Sequence, residues 1–281
     1  MKIIVHGATG AQGAPVLAAL HAQGLSPIAA VRDPSAYTGV GTATAVDLSS
    51  VDSLATAYTG ADAIFAHLPV GPEEVQQRHA EVIVEAVDRA RPLRVVISTS
   101  GYPFGIPGEK SPIDTLVDGL RATGVSLAIV APKLFLENLM LPMVSAAVES
   151  ESVLRYPIRE DYAISWISHL DMADIVTRLI QSSDATGVIE AGAFPGLLGT
   201  DLAAGFSAHL GKEVVFESQT TDAFGAELIP LFGEAGATPV VDSYRWRATQ
   251  PDEVIDNENS AQSRLAMRPR SVAEWLKDMS V

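Results

Sequence analysis

The chain opens with Lys2-Ile3-Ile4-Val5-His6, whose central residues form the first apolar run. The glycine-rich stretch Gly7-Ala8-Thr9-Gly10-Ala11-Gln12-Gly13 follows directly. A short β-branched run followed by glycines three residues apart predicts a strand, a tight turn and the start of a helix. Such glycines give the turn its freedom, let phosphate approach backbone N–H groups, and let helix and strand pack closely. The spacing is G-x-x-G-x-x-G, and it predicts a dinucleotide pyrophosphate site. The candidate binding residues in this turn are Gly7, Thr9, Gly10, Ala11, Gln12 and Gly13.

The composition of the 281 residues limits the possible functions. The length fits one large α/β domain, alone or with a smaller cap. The 34 acidic and 19 basic residues give a net charge of −15, which argues against nucleic acid as a partner. There are no cysteines, which excludes disulfides, thiolate catalysis and cysteine-bound metals. The six histidines lack metal-ligand spacing, so we expect no metal.

The N-terminus enters a strand at once, without the basic and apolar regions of a signal peptide. No apolar run approaches the ~20 residues that a membrane span needs. We therefore expect a soluble cytoplasmic protein without a membrane partner. We expect a monomer or a homodimer.

Apolar runs typical of strands alternate with helical patterns over the first half of the chain. The predicted strands after the first are Pro27 to Val31, Ala43 to Val46, Ala63 to Ala66, Val95 to Ile97 and Ser126 to Val130. A helix is predicted from Glu73 to Arg91, and another from the cap Ser111 to Gly124. This alternation predicts an α/β fold with a doubly wound parallel sheet of the Rossmann type.

Beyond Pro132 the regular alternation decays. A further helix is predicted at Asp171 to Ser182, and a strand returning to the sheet near 187–191. We therefore predict a dinucleotide-binding domain over residues 1–155, and a smaller interleaved α+β cap, mainly for substrate binding, over residues 156–281.

The second strand ends in Val31-Arg32-Asp33-Pro34, where a Rossmann-type domain meets the adenosine ribose. Arg32 there pairs with a 2′-phosphate and favours NADP(H). Asp33 is the alternative, because a carboxylate at this point accepts from the ribose 2′-hydroxyl. Arg32 is also consistent with a solvated turn residue.

Topology predicts further nucleotide contacts after the third and fourth strands. Asp47 and Leu48 would lie beside the adenine, and Leu68 and Pro69 along the pyrophosphate and nicotinamide ribose. The fifth strand ends in Ser98-Thr99-Ser100-Gly101-Tyr102, beside the expected nicotinamide. These hydroxyls either polarise a substrate carbonyl or only cap the end of the strand.

Several stretches together resemble the NmrA-like branch of the atypical short-chain dehydrogenases/reductases. They are residues 7–13, 31–34, 98–101, 124–127 through 134–139, 167–175 and 187–212. The resemblance implies a Rossmann-type domain with a small C-terminal cap that binds NADP(H), with Phe135 and Asn138 among its cofactor contacts. Similar members include quinone and dye reductases, and also redox-sensing regulators without turnover.

The chain departs from this family's patterns in two ways. None of the six tyrosines is followed by a lysine four residues on, so the Tyr-x-x-x-Lys pair of ordinary short-chain dehydrogenases is missing. Ile113 and Val117 stand where reductase-type relatives have a lysine, and Lys110 either reaches the ribose or is solvated. Lys133 follows Ala131-Pro132 where relatives commonly have Arg-Pro, and it either supplies a positive charge near the nicotinamide or faces water.

We therefore expect an NADPH-dependent reductase that transfers hydride to a small ketone, quinone or related conjugated compound. The candidates for catalysis are Tyr102, Thr99, Ser100 and Lys133, with water as another source of the proton. The alternative is a non-catalytic NADP(H) sensor that acts through a protein partner; isomerase or lyase chemistry is a third possibility. A reductase needs an open pocket above the nicotinamide, lined by residues of 134–170 and 220–250, and a sensor does not.

Overall fold

The computed structural model describes residues 1–279, which contain eleven strands, ten α-helices and three short 3-10 helices. The strands are β1 Ile3–Val5, β2 Pro27–Val31, β3 Thr42–Ala45, β4 Ala63–His67, β5 Arg94–Ser98, β6 Ser126–Pro132, β7 Leu134–Phe135, β8 Val153–Tyr156, β9 Trp166–Ile167, β10 Gly187–Ala191 and β11 Val215–Ser218. The helices are α1 Gly13–Ala22, α2 Val51–Tyr58, α3 Glu73–Ala90, α4 Pro112–Thr123, α5 Pro142–Glu151, α6 His169–Gln181, α7 Gly199–Leu210, α8 Thr221–Thr249, α9 Ala261–Leu265 and α10 Val272–Asp278.

Seven strands form one parallel sheet in the order β10-β6-β5-β4-β1-β2-β3. At its centre Ile4 lies between Ile28 on β2 and Ile64 on β4. The chain adds β2 and β3 on one side of β1 and then crosses back to add β4 and the later strands on the other side. The strand order therefore reverses between β1 and β4, which is the switch point at which such folds bind ligands. The predicted Rossmann-type α/β fold is confirmed.

Local sequence signals explain where the helices of this domain begin and end. Helix α4 starts in a capping box in which the Ser111 side chain accepts from the backbone N–H of Asp114 and the Asp114 carboxylate accepts from that of Ser111. It ends at Gly124, whose φ of 73° lies in the left-handed region that glycine tolerates. Helix α3 packs against α4 where Gly119 leaves room for Val84. The buried side chains of both helices join the apolar core on one face of the sheet.

The structure divides into two units. The first contains residues 1–132, 169–191 and 258–267, and the second contains residues 133–168, 192–257 and 268–279. The division falls after Pro132, whereas the sequence pattern predicted a boundary at residue 155. The reason lies in strand pairing, because β7 pairs with β9 and β8 with β11, while β10 returns to pair with β6.

An aromatic cluster forms the core of the second unit. The Tyr156 ring lies 5.6 Å from that of Trp166, 5.7 Å from that of Phe224 and 5.5 Å from that of Tyr244. Phe224 and Tyr244 come from the two halves of α8, which is interrupted at Gly233. Within residues 1–279 every helix is too short or too polar to serve as a membrane span.

Candidate functional site

The predicted glycine turn forms a tight bend at the carboxyl end of β1. Gly7 has a φ of 61°, and the Gly10 amide donates to the Gly7 carbonyl at 2.8 Å. A Cβ on residue 13 would fall 2.3 Å from that same carbonyl oxygen, so only glycine fits there. Two of the three glycines therefore have roles in the geometry of the turn itself.

The amino end of α1 is suited to an anion. Its N-cap residue, Gln12, makes no side-chain capping bond, and its first turn has no acidic residue. By contrast, Ser111 caps α4 and Ser271 caps α10. Thr9, Gly10 and Ala11 are exposed in front of the helix. Free amide groups and the helix dipole at this end favour a phosphate.

Three polar atoms at this edge of the sheet are buried without a hydrogen-bond partner among residues 1–279. They are Gln12 Oε1, His67 Nε2 and Thr99 Oγ1, from the turn after β1, the end of β4 and the end of β5. Buried polar groups are rarely left unsatisfied by a fold. Together with the glycine turn and the uncapped helix, they fit a bound dinucleotide.

A group of histidines that the sequence analysis did not assign to the site lies beside the turn. His67 packs its imidazole against Gly7, and its Nδ1–H donates to the Leu68 carbonyl at 3.3 Å. Burial lowers the pKa of His67. Burial, together with the nearby charge of His67, also lowers the pKa of His6 to about 3 and that of His169 to about 4. The sequence contained one signal that could have identified this group, because a histidine stands directly at the end of each of two strands that are neighbours in the sheet.

Arg32 and Asp33 follow β2 as predicted, and the structure distinguishes their surroundings. The Asp33 carboxylate caps the short 3-10 helix Pro34–Ala36, accepting from the Ser35 amide at 2.9 Å and the Ser35 hydroxyl at 2.6 Å. These bonds hold the pKa of Asp33 below its usual value. The Arg32 side chain is exposed and has no hydrogen-bond or ion-pair partner within the described residues.

The residues predicted after β3 and β4 lie at the same sheet edge but are partly engaged elsewhere. Asp47 accepts from the Ser49 amide at 2.8 Å and the Ser49 hydroxyl at 2.6 Å, which lowers its pKa. Leu48 is half-buried against the core. The Leu68 side chain is 5% exposed and belongs to the core, so any contact of Leu68 with a ligand would come from its backbone. The Pro69 carbonyl accepts from the Gln76 side chain at 2.9 Å.

The hydroxyl cluster at the end of β5 contains groups of different accessibility. Thr99 is only 1% exposed, whereas Tyr102 is 43% exposed. Ser100 is half-buried and left-handed, with a φ of 57°. Its amide donates to the Ser98 hydroxyl at 3.1 Å, and its own hydroxyl accepts from Gln12 Nε2 at 2.9 Å. The predicted pyrophosphate turn and the predicted reaction end of the site are thus joined by a hydrogen bond.

The remaining predicted residues belong to the second unit. Lys133 directly follows β6, Phe135 lies in β7, and Asn138 lies in the 3-10 helix Leu136–Met140. Burial raises the pKa of Tyr156, and the nearby Asn138 side chain acts in the opposite direction. Contacts of these three residues with a cofactor or substrate stay predictions.

The second unit contains a cavity of about 310 Å³. It is lined by residues 157–159, 162, 218–221, 247 and 248, and the expected pocket above the nicotinamide stays a prediction. This volume lies at the small end of the range for sites that bind small molecules. No group of three or more His, Asp or Glu residues suited to a metal ion occurs within residues 1–279.

The parallel sheet and its glycine turn define the Rossmann class of nucleotide-binding proteins. The model of the NmrA-like family matches residues 1–276, and the chain belongs to that family. This confirms the resemblance that the sequence motifs indicated.

A curated relative covers most of the chain, and two solved structures match all of it in fold. An NAD(P)H azoreductase of Xenophilus azovorans is 30% identical over 238 residues, which are 78% of this chain and 78% of that protein. The triphenylmethane reductase of Citrobacter sp. matches with a TM-score of 0.79 at 15% identity, over 100% of each chain. An NADPH-dependent quinone oxidoreductase of Escherichia coli complexed with NADPH matches with a TM-score of 0.72 at 18% identity, also over 100% of each chain.

Proposed function

We propose that the chain is an NADPH-dependent reductase that transfers hydride to a small ketone, quinone or related conjugated acceptor. The observation that carries the proposal is the pairing of two features on adjacent strands: the uncapped glycine turn after β1 and the unpartnered Arg32 after β2. The azoreductase relative, which is named for NAD(P)H, supports both the cofactor and the class of reaction.

Arg32 is the residue that we assign to the preference for NADPH. A planar, exposed guanidinium at the end of β2 suits the 2′-phosphate that distinguishes NADPH from NADH. Asp33, the alternative contact to this ribose, already accepts two hydrogen bonds from Ser35. Both bonds end on Oδ1 and fix the orientation of the carboxylate, whereas the Arg32 guanidinium has no partner within the described residues.

The residues of the chain bind and orient, and the bound cofactor supplies the hydride. Backbone groups of the glycine turn and the first turn of α1 hold the pyrophosphate. The hydroxyls of Ser100 and Tyr102 lie at the end of β5, the strand end expected beside the nicotinamide. An acceptor that leaves as a stabilised anion takes its proton from water and needs no dedicated acid, which accounts for the missing Tyr-x-x-x-Lys pair.

The test is a calorimetric titration of the wild-type chain with NADPH and with NADH, repeated for Arg32→Ala. We expect the substitution to weaken NADPH binding about ten- to hundredfold, as for a lost charge-assisted contact, and to leave NADH binding unchanged. Arg121→Ala is the matched control, because Arg121 is an exposed arginine on α4, paired with Asp118. Equal losses for both nucleotides would remove Arg32 from the 2′-phosphate site.

Turnover is then measured as NADPH consumption with a quinone, an azo dye and a ketone. Reduction of any of these acceptors supports the reductase. NADPH binding without reduction of any of the three acceptors would overturn the reductase in favour of the sensor. Failure to bind either nucleotide would overturn both.

A further inference from the structure

The hydrogen bond between Gln12 and Ser100 joins two residues that are both unusual in their places. Helix N-caps are commonly Ser, Thr, Asp or Asn, whose short side chains bond to the helix amides. Gln12 occupies that position in α1 but makes no capping bond. Its side chain instead donates from Nε2 to the Ser100 hydroxyl at 2.9 Å, across 88 residues of sequence.

Ser100 is held in a backbone conformation that serine seldom adopts. Its φ of 57° lies in the left-handed region, next to Gly101 at 85°. A residue other than glycine persists there only when its surroundings hold it, and such residues concentrate at functional sites. The surrounding bonds are from the Ser100 amide to the Ser98 hydroxyl, at 3.1 Å, and from Gln12.

The direction of the Gln12 bond determines what the Ser100 hydroxyl can still do. An amide N–H only donates, so the serine oxygen is the acceptor and keeps its own proton. Within residues 1–279 the structure gives that proton no acceptor. The hydroxyl is therefore a fixed donor at the end of β5, at the strand end where a dinucleotide-binding sheet carries out its chemistry.

We propose that Gln12 is a positioning residue that holds the Ser100 hydroxyl as the hydrogen-bond donor to the substrate atom on which negative charge develops. The inference rests on the proposed reductase function. As the acceptor takes up hydride with its two electrons, charge appears on its oxygen or nitrogen. The Ser100 O–H donates to that atom and keeps its proton, water supplies the proton that completes the reduction, and NADPH becomes NADP⁺.

This arrangement ties cofactor binding to the reaction centre. Gln12 belongs to the turn that holds the pyrophosphate, so the segment that binds the cofactor also positions the donor. Donors fixed before the reaction stabilise developing charge more effectively than mobile ones, and loss of one costs about 10²-fold or more in kcat.

A double-substitution cycle tests the proposal, with Gln12→Met, Ser100→Ala and the two combined. Methionine keeps the length of Gln12 and removes the donor. We expect Gln12→Met to lower kcat about tenfold and Ser100→Ala about a hundredfold, both measured at saturating NADPH so that a loss of turnover is separated from any loss of cofactor binding. The combined variant should be no slower than Ser100→Ala alone, because Gln12 acts through Ser100. Gln23→Met, at the exposed far end of α1, is the control.

Amide hydrogen exchange of the cofactor-free chain gives a second readout that needs no turnover. We expect the amides of residues 100 and 101 to exchange at least several-fold faster in Gln12→Met and to stay unchanged in Gln23→Met. The inference would be overturned if the fold losses in kcat of the two single variants multiplied in the combined variant, or if Gln12→Met weakened NADPH binding and left kcat unchanged. Neither result would contradict the proposed reductase function. A wild-type chain that binds NADPH and reduces no acceptor would instead overturn the reductase, and unchanged exchange would then also exclude the positioning role.

Discussion

The imidazole of His67 lies directly against the backbone of Gly7. A Cβ on residue 7 would fall 2.3 Å from His67 Nε2 and 3.0 Å from its Cε1. The first glycine of the turn is thus required by a side chain from β4 as well as by its own φ of 61°. The neighbouring strand therefore helps to fix the conformation of the predicted pyrophosphate turn.

Gly7→Ala should destabilise the protein and weaken NADPH binding together. The left-handed φ alone costs an alanine about 1–2 kcal/mol, and the collision with His67 adds to it. Gly10→Ala is the milder control, because its Cβ would meet only the Gly7 carbonyl oxygen, at 3.3 Å. Urea unfolding and NADPH titration measure both effects.

The double variant Gly7→Ala with His67→Ala separates the two causes. Removing the imidazole should restore the part of the stability lost to the collision and none of the part due to φ, after subtraction of the effect of His67→Ala alone. Equal unfolding free energies for Gly7→Ala and Gly10→Ala would contradict the steric account.

Local signals in the sequence were enough to predict much of the first unit. The turn from Gly7 to Gly13 and the capped helix from Ser111 to Gly124 depend on residues close together in the chain, so their pattern is readable without a structure. The parallel, doubly wound character of the sheet followed from the alternation of strands and helices.

Features that depend on distant pairing could not be predicted in this way. The division after Pro132 reflects the pairing of β8 with β11, and Arg155 lies opposite Glu217 across 62 residues. The contact of His67 with Gly7 and the bond of Gln12 to Ser100 likewise join separate strand ends. No local pattern of residue types marks such contacts.

Stability should fall as pH drops from 6.5 towards 5, because of the histidines beside the turn. The pKa of His6 is lowered to about 3 and that of His169 to about 4, so the unfolded chain binds more protons than the folded one in this window. Each of these histidines then lowers the free energy of unfolding by up to about 1.4 kcal/mol for each unit that the pH falls. Carboxylates with lowered pKa, such as Asp184 at about 2, contribute only below about pH 4.

Urea unfolding at pH 7.5, 6 and 5 measures this dependence. We expect His169→Gln to reduce the slope, and His21→Gln, which replaces an exposed histidine on α1, to leave it unchanged. An identical slope for wild type and His169→Gln would remove His169 from the acid response.

Glu253→Gln should cost far more stability than the loss of an exposed acidic partner. Arg247 donates to Glu253 from Nε at 2.7 Å and from Nη2 at 3.1 Å, and both side chains are only 9% exposed. Removal of one partner of a buried pair leaves a buried charge uncompensated and costs about 3–5 kcal/mol. Asp222→Asn breaks the exposed pair with Arg245, at 2.8 Å, and should change the unfolding free energy little, because water screens both charges. Similar unfolding free energies for the two variants would mean that water compensates Arg247.

Asp33→Asn should leave the preference for NADPH intact and tighten NADPH binding about two- to fivefold. Asparagine can still cap the 3-10 helix Pro34–Ala36, and the substitution removes a negative charge next to the 2′-phosphate that we assign to Arg32. If Asp33 were instead the ribose acceptor, the same substitution would weaken NADH binding and leave NADPH binding unchanged. Titration of Asp33→Asn with both nucleotides distinguishes these outcomes. The titration is repeated at low and at high salt, because the gain in NADPH affinity is electrostatic and should shrink as the salt concentration rises.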